Sequence, residues 1–246
     1  MGPFPSVVAI AASTGGPQAV ERLICPLPRD FPVPVLISQH MIDRFTGVFA
    51  ERLNRLCQLE VREAGGREPL RPGLALVTPS GYHLTVNERG ETSLNDGPSV
   101  NYVKPAADVM MASMADCLAP AVGIVLTGMG RDGARGARAI QKTGGWVIVQ
   151  SPEEALISSM PLAAIKEGAA STVLPLAGIP TALLSILGRG KGGRRIEDGP
   201  VVLWNLSRAS FAREPDWTWS AIRTGRWSAA SASSWAAAAQ RASRSF

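Results

Sequence analysis

Val7-Val8-Ala9-Ile10-Ala11-Ala12-Ser13-Thr14-Gly15-Gly16-Pro17 decides the architecture of this chain. Six apolar residues in a row, without polar alternation, suit a strand buried on both faces. The run stops at Ser13-Thr14-Gly15-Gly16, a tight turn, and Pro17 suits the first turn of a helix. A strand that feeds a helix through such a turn presents the Ser13 hydroxyl at its carboxyl end.

The same pattern recurs. Short Val/Ile/Leu/Ala-rich runs at 33–38, 74–78, 122–127, 146–150 and 172–174 read as further buried strands. Helical patterns at 17–24, 45–57, 107–117 and 134–143 lie between several of them, each ending near a breaker. Alternating strands and helices imply right-handed crossovers, and so a doubly wound α/β fold: an open, mostly parallel sheet with helices on both faces. Residues 62–93 hold more Gly, Pro and polar alternation and read as β-rich with a β-hairpin. Ligands of such sheets sit at the carboxyl edge of the strands.

Two other strand ends carry chemistry. The second run closes in Ser38-Gln39-His40-Met41, and the run at 122–127 closes in Thr127-Gly128-Met129-Gly130-Arg131-Asp132-Gly133. Serine, histidine and aspartate thereby share one rim, although the chain holds only two histidines. A serine hydroxyl needs a base beside it and the base needs an orienting group, roles that His40 and Asp132 can fill. Asp132 precedes the helical pattern at 134–143, whose dipole favours an ionised carboxylate. The backbone N–H groups of Thr14 and Met129 are candidate donors to an oxyanion. Each residue alone also has a structural reading, as a helix cap or a buried histidine; their coincidence on one edge favours catalysis. His83, inside an alternating β-like stretch, reads as structural, and Met110-Met111-Ala112-Ser113-Met114 reads as core. The order Ser, His, Asp, with Ala11 two positions before the serine, excludes the nucleophile elbow of the α/β-hydrolases.

A rival reading is a nucleotide-binding module. Gly128-x-Gly130-x-x-Gly133 follows a strand and opens a helix, with Glu153 or Glu154 about 20 residues later. Against it, Asp132 would aim a carboxylate into the turn meant for a pyrophosphate. One histidine without clustered carboxylates or thiolates implies no metal, and ester hydrolysis needs no cofactor.

Residues 1–188 hold 15 Lys and Arg against 16 Asp and Glu, whereas residues 189–246 hold 10 against 4. The basic character therefore belongs to the end of the chain, no basic stripe crosses the remainder, and nucleic acid is not an expected partner. Five of the six tryptophans also fall there without helical or strand periodicity. The expected organisation is a domain over 1–187 and a basic Ser/Ala/Arg/Trp-rich tail over 188–246, disordered or loosely structured. Cys25, Cys57 and Cys117 lack metal or disulfide-framework spacing and read as ordinary thiols of a reducing compartment. The first residues have no basic n-region and too short an apolar run for a signal or a membrane span, which points to the cytoplasm.

Ala11-Ala12-Ser13-Thr14-Gly15-Gly16, Gln39-His40-Met41 with Phe45-Thr46, and Leu126-Thr127-Gly128-Met129-Gly130-Arg131-Asp132-Gly133-Ala134 together resemble the catalytic domain of the bacterial chemotaxis protein-glutamate methylesterases, the CheB family. Pro79-Ser80-Gly81-Tyr82-His83-Leu84, Ala107-Asp108-Val109 and Ser159-Met160-Pro161 extend the likeness over residues 7 to about 187. The resemblance implies that Ser13, His40 and Asp132 form the triad. It also implies a glutamate γ-methyl ester on the cytoplasmic helices of a methyl-accepting chemotaxis receptor as substrate, methanol as product, and deamidation of receptor glutamines as a related activity. Many members carry a phospho-accepting receiver domain before the catalytic strand. This sequence begins almost at that strand, so a separate receiver protein is a candidate partner. A catalytically silent receptor-binding module remains a further reading of the same sheet.

Overall fold

The computed structural model describes residues 6–42 and 44–188, all within the first of two units of the chain, Met1–Leu203. The basic, tryptophan-rich stretch expected to be a loose tail lies, from residue 189 onward, outside the described residues.

Strand β1 (Val8–Ala12) is followed by helix α1 (Gly16–Ile24), then β2 (Val35–Gln39), α2 (Phe45–Leu56), β3 (Glu60–Glu63) and β4 (Leu74–Val77). A hairpin of β5 (His83–Val86) and β6 (Thr92–Asn95) intervenes before α3 (Ala107–Cys117), β7 (Val122–Val125), α4 (Ala134–Lys142), β8 (Trp146–Gln150), α5 (Ser159–Lys166), β9 (Thr172–Leu174) and α6 (Ile179–Gly188). Seven strands form one sheet in the order β3-β4-β2-β1-β7-β8-β9, and β5 and β6 pair apart from it. Every ladder in the large sheet is parallel, as the buried, non-alternating runs require.

All five β1 residues are inaccessible to solvent, and the period of two divides them between two cores. Val8, Ile10 and Ala12 face α1, α2 and α6 through Leu23, Phe49 and Leu183. Ala9 and Ala11 face the other layer, with Met111, Ala137 and Met160 from α3, α4 and α5. Each buried Val, Leu or Ile stabilises this sandwich by about 1.5–3 kcal/mol relative to exposure. Met110, Met111 and Met114 are buried within the second core, as read from the sequence.

Order matters most at the centre. The chain leaves β1 towards β2 and later returns to β7 on the other flank of β1. The crossovers diverge at this switch point and open a crevice above the carboxyl ends of β1 and β7.

The structure departs from the sequence reading in three respects: an edge strand, two helices and a pair of thiols. β3 is a parallel edge strand in which only Val61 is buried, and α5 and α6 complete the two helical layers. The third concerns the thiols: Cys25, at the C-terminal end of α1, and Cys57, at the end of α2, are joined as a disulfide. Packing of α1 beside α2 brings their ends together, which corrects the reading of these two residues as ordinary thiols. Cys117 is free and half-buried.

Candidate active site

The turn after β1 is built to expose Ser13. Its backbone N–H donates to Thr127 O at 3.0 Å, and its carbonyl accepts the Gly16 N–H at 2.8 Å as α1 begins. Gly15 adopts φ +77°, a left-handed conformation that glycine takes without a Cβ penalty. Gly128 matters for the opposite reason: a Cβ there would come within 2.7 Å of Ser13 Cβ and would also strike Met160 Sδ. Only a glycine lets the β7 turn lie against the serine.

His40 leaves β2 beside this turn, its N–H donating to Ala12 O at 3.1 Å. Gln39 ties the two segments together, donating from Nε2 to Ser13 O and to His40 O, both at 2.9 Å. Thr127 performs a similar service on the other flank. Its hydroxyl donates to Thr14 O at 2.9 Å and accepts the Ile157 N–H at 2.9 Å, while its own N–H donates to Gln150 Oε1.

Asp132 is buried, and its Oδ2 accepts a hydrogen bond from His40 Nε2 at 2.8 Å. With a carboxylate as partner, Nε2 carries the proton and Nδ1 is left with a lone pair. The same Oδ2 accepts the Ala107 N–H at 2.6 Å; Oδ1 accepts the Asp108 N–H at 3.1 Å and Asn101 Nδ2 at 3.2 Å. Burial alone would raise the Asp132 carboxyl. The His40 hydrogen bond and the two backbone donors outweigh it and hold the group below the ordinary aspartate value. The sequence reading credited the dipole of α4, the next helix along the chain, but the backbone groups that hold Asp132 belong to α3.

Asp108 is a second buried carboxylate. It accepts Gly136 N–H at 2.8 Å on Oδ1 and Asn101 Nδ2 at 2.7 Å on Oδ2. Burial pushes this carboxyl up, the Gly136 hydrogen bond opposes that shift, and the charge of Asp132 adds to it.

The structure thus joins His40 to Asp132 directly and brings Ser13 to the neighbouring strand end. Among the described residues the Ser13 hydroxyl bonds to no protein group, and neither do the N–H groups of Thr14 and Met129. His83 lies on β5, where Nε2 meets Pro98 O and Nδ1 accepts the N–H of Ala106, the residue before the two α3 donors to Asp132. Gln39, Asn101, Asp108 and Thr127 were not singled out as functional from sequence. Their only signal was position inside the quoted motifs or just before α3.

The glycine-rich turn is unsuited to a pyrophosphate. Gly128 N–H is taken by Ile157 O, and the first turn of α4 is already served by the Asp108 carboxylate. Around the rim, Ile42, Phe45, Tyr102, Met129 and Leu156 expose apolar side chains, Tyr102 completely. Among the described residues no helix is long and apolar enough to cross a membrane.

Residues 8–183 match the family model described as CheB methylesterase. A protein-glutamate methylesterase/protein-glutamine glutaminase of Alkalilimnicola ehrlichii is 47% identical over 174 residues, covering 69% of this chain and 45% of that protein. The protein-glutamate methylesterase FrzG of Myxococcus xanthus is 41% identical over 183 residues, covering 74% and 54%. The chain spans about half the length of the curated relatives it matches. In structure it is similar to the Thermotoga maritima CheB methylesterase catalytic domain, with a TM-score of 0.72 and 34% identity over 75% of this chain and 100% of that one. The parallel sheet, the serine turn at its switch point and a family match across most of the described residues agree: this chain belongs to the CheB methylesterase family.

Proposed function

We propose that this chain hydrolyses glutamate γ-methyl esters on a protein by acyl transfer through Ser13. The observation that carries the reading is the 2.8 Å hydrogen bond from His40 Nε2 to Asp132 at the strand end next to the serine. It fixes the tautomer in which Nδ1 is the free base. His40 Nδ1 takes the Ser13 proton as Oγ attacks the ester carbonyl. The resulting oxyanion is held by the N–H groups of Thr14 and Met129. Collapse breaks the C–O bond, the proton passes from His40 to the departing methoxide, and methanol leaves an acyl-serine. Water then attacks with His40 again as base, which returns the glutamate carboxylate and the Ser13 hydroxyl. Asp132 orients the imidazole and faces its positive charge without accepting its proton. A glutamine side chain would follow the same path and release ammonia.

Exposed apolar residues around the rim favour a macromolecular substrate over a small one. We assign it to the cytoplasmic helices of a chemoreceptor, which places the reaction in the cytoplasm, with access governed by a receiver protein. The deciding experiment compares methanol release from a methylated receptor cytoplasmic fragment by the chain and by Ser13→Ala at equal folded concentration. Release that vanishes in the variant supports the reading. Equal release from both, or none from either, overturns it, and specific retention of the fragment without release would then favour a silent binding module.

A further inference from the structure

Asn101 has no place in the acyl-transfer scheme, yet its amide lies between two buried carboxylates. From the geometry we infer that Asn101 is a positioning residue for the Asp132–His40 pair: its Nδ2 bridges Asp108 Oδ2 at 2.7 Å and Asp132 Oδ1 at 3.2 Å and keeps the two carboxylates apart. The inference rests on the proposed roles of Ser13, His40 and Asp132 and extends them to a residue outside the triad.

Three observations support it. The first is the backbone. Asn101 and Tyr102 have φ of +54° and +66°, two consecutive left-handed residues that are not glycine. They form a two-residue turn closed by Val100 and Val103, whose N–H and C=O groups pair reciprocally at 3.1 Å. Asparagine is among the few residues that adopt this conformation readily, and tyrosine is not. A left-handed tyrosine persists only where the surroundings over-determine the turn, and such strain gathers at functional sites. The turn aims the Asn101 side chain inward and leaves Tyr102 wholly in solvent.

The second is charge. Asp108 and Asp132 both lie in a setting where like charges repel strongly. A neutral amide with one N–H for each carboxylate offsets that repulsion. It also blocks a specific failure. Burial favours the protonated form of Asp108, and a protonated Asp108 freed from Asn101 could donate to Asp132 Oδ1. Asp132 would then share a proton and lose part of the charge that must face the imidazolium of His40.

The third is solvent. A hollow of about 220 Å³ is lined by Asn101, Asp108, Arg131, Arg135 and Lys166, but Asp132 does not line it. Asn101 both lines this hollow and contacts the Asp132 carboxylate, which does not reach it. The same carboxylate orients the His40 ring through Oδ2, so loosening it at Oδ1 would loosen the aim of Nδ1.

Asn101→Gly makes the cleanest test, because glycine accepts the left-handed turn and only the amide is lost. The expected result is a fall of about tenfold in kcat with KM unchanged, the scale of one hydrogen bond to a charged group. Asn101→Asp keeps the turn propensity but replaces the donor with a third carboxylate, and its kcat should fall further. A second readout needs no turnover: the low-field proton resonance of the His40 Nε2–H in its bond to Asp132, assigned by its disappearance in His40→Gln. It should shift or broaden in Asn101→Gly while the thermal midpoint stays near that of the parent. An unmoved resonance, with kcat within twofold of the parent, overturns the inference even if the parent is an active esterase. A shifted resonance in a protein that releases no methanol sustains the positioning role and instead rejects the proposed chemistry.

Discussion

Asp108 and Asp132 each cap the helix that the other one opens. Asp132, two residues before α4, accepts the Ala107 and Asp108 N–H groups at the start of α3, and Asp108, in the first turn of α3, accepts the Gly136 N–H of α4. The first turns of two helices thereby lend donors to each other's carboxylates. Gly136 makes the approach possible, since a Cβ there would come within 3.0 Å of the Asp108 backbone.

The two carboxylates answer pH in opposite senses. The Asp132 carboxyl is held down in the fold, so its contribution is present above the ordinary aspartate range and lost as pH falls through its folded value. Asp108 is pushed up, so its contribution is full below its unfolded value near 3.8 and is lost as pH rises through the folded one. Thermal melts of the parent and of Asp108→Asn between pH 4 and 7 should show the parent losing ground to the variant as pH rises. A difference independent of pH would refute the buried charge.

Asp132→Asn should lower kcat by about 10⁴ and also cost stability, since an amide donating to His40 leaves the Ala107 N–H without its acceptor. Its amide would donate to His40 Nε2, forcing the ring proton onto Nδ1 and removing the base. The check is steady-state methanol release, with circular dichroism to establish folding; a loss of less than tenfold would count against His40 as the base.

Gly128→Ala should cost activity through Ser13. The added methyl would come within 2.7 Å of Ser13 Cβ, and a displacement of about 1 Å at a reacting group costs on the order of 10² in rate. Overpacking of this kind also destabilises by about 1–3 kcal/mol. Parental kcat in the variant would show that the serine turn has slack.

Thr127→Val preserves shape but deletes the hydroxyl between Thr14 O and Ile157 N. Leaving those groups without a partner should cost about 1–3 kcal/mol, readable as a lower urea midpoint, with a parallel drop in kcat as the serine turn loosens.

Reduction of the Cys25–Cys57 bond should destabilise the domain. It closes a sequence separation of 32 residues, for which chain entropy alone gives about 3–4 kcal/mol. Melting Cys25→Ser/Cys57→Ser beside the parent, with and without reductant, tests this; a reductant effect on the parent that matches the double variant is expected.

Much of this was legible because buried parallel strands write themselves as continuous apolar runs. β1, β2 and β7 are such runs, and the residues that follow them, Ser13, His40 and Asp132, could be placed on one edge from the sequence. Glu60-Val61-Arg62-Glu63 was missed for a physical reason: an edge strand with one buried side chain looks like solvent-exposed chain. Helix α6 is apolar on nearly every side and carries Pro180 in its first turn, which hid its period. The disulfide depends on how α1 and α2 pack, and a spacing of 32 carries no local signal. The same holds for Asp132, whose backbone donors lie on α3, 24 and 25 residues away in sequence. Amides such as Gln39 and Asn101 have no chemical signature of their own, so only the network around them reveals what they do.

The order of strands also bears on when activity can first appear. β1 lies between β2 and β7, and parallel neighbours cannot be joined by a tight turn. His40 and Asp132 are 92 residues apart in sequence, and closing such a distance is among the slower steps open to a folding chain. On the proposed chemistry, a chain emerging from the ribosome therefore remains silent until residue 132, in the turn between β7 and α4, can reach His40. In refolding, the return of turnover on that chemistry waits both on the β1–β7 ladder and on the first turn of α3, whose N–H groups hold Asp132.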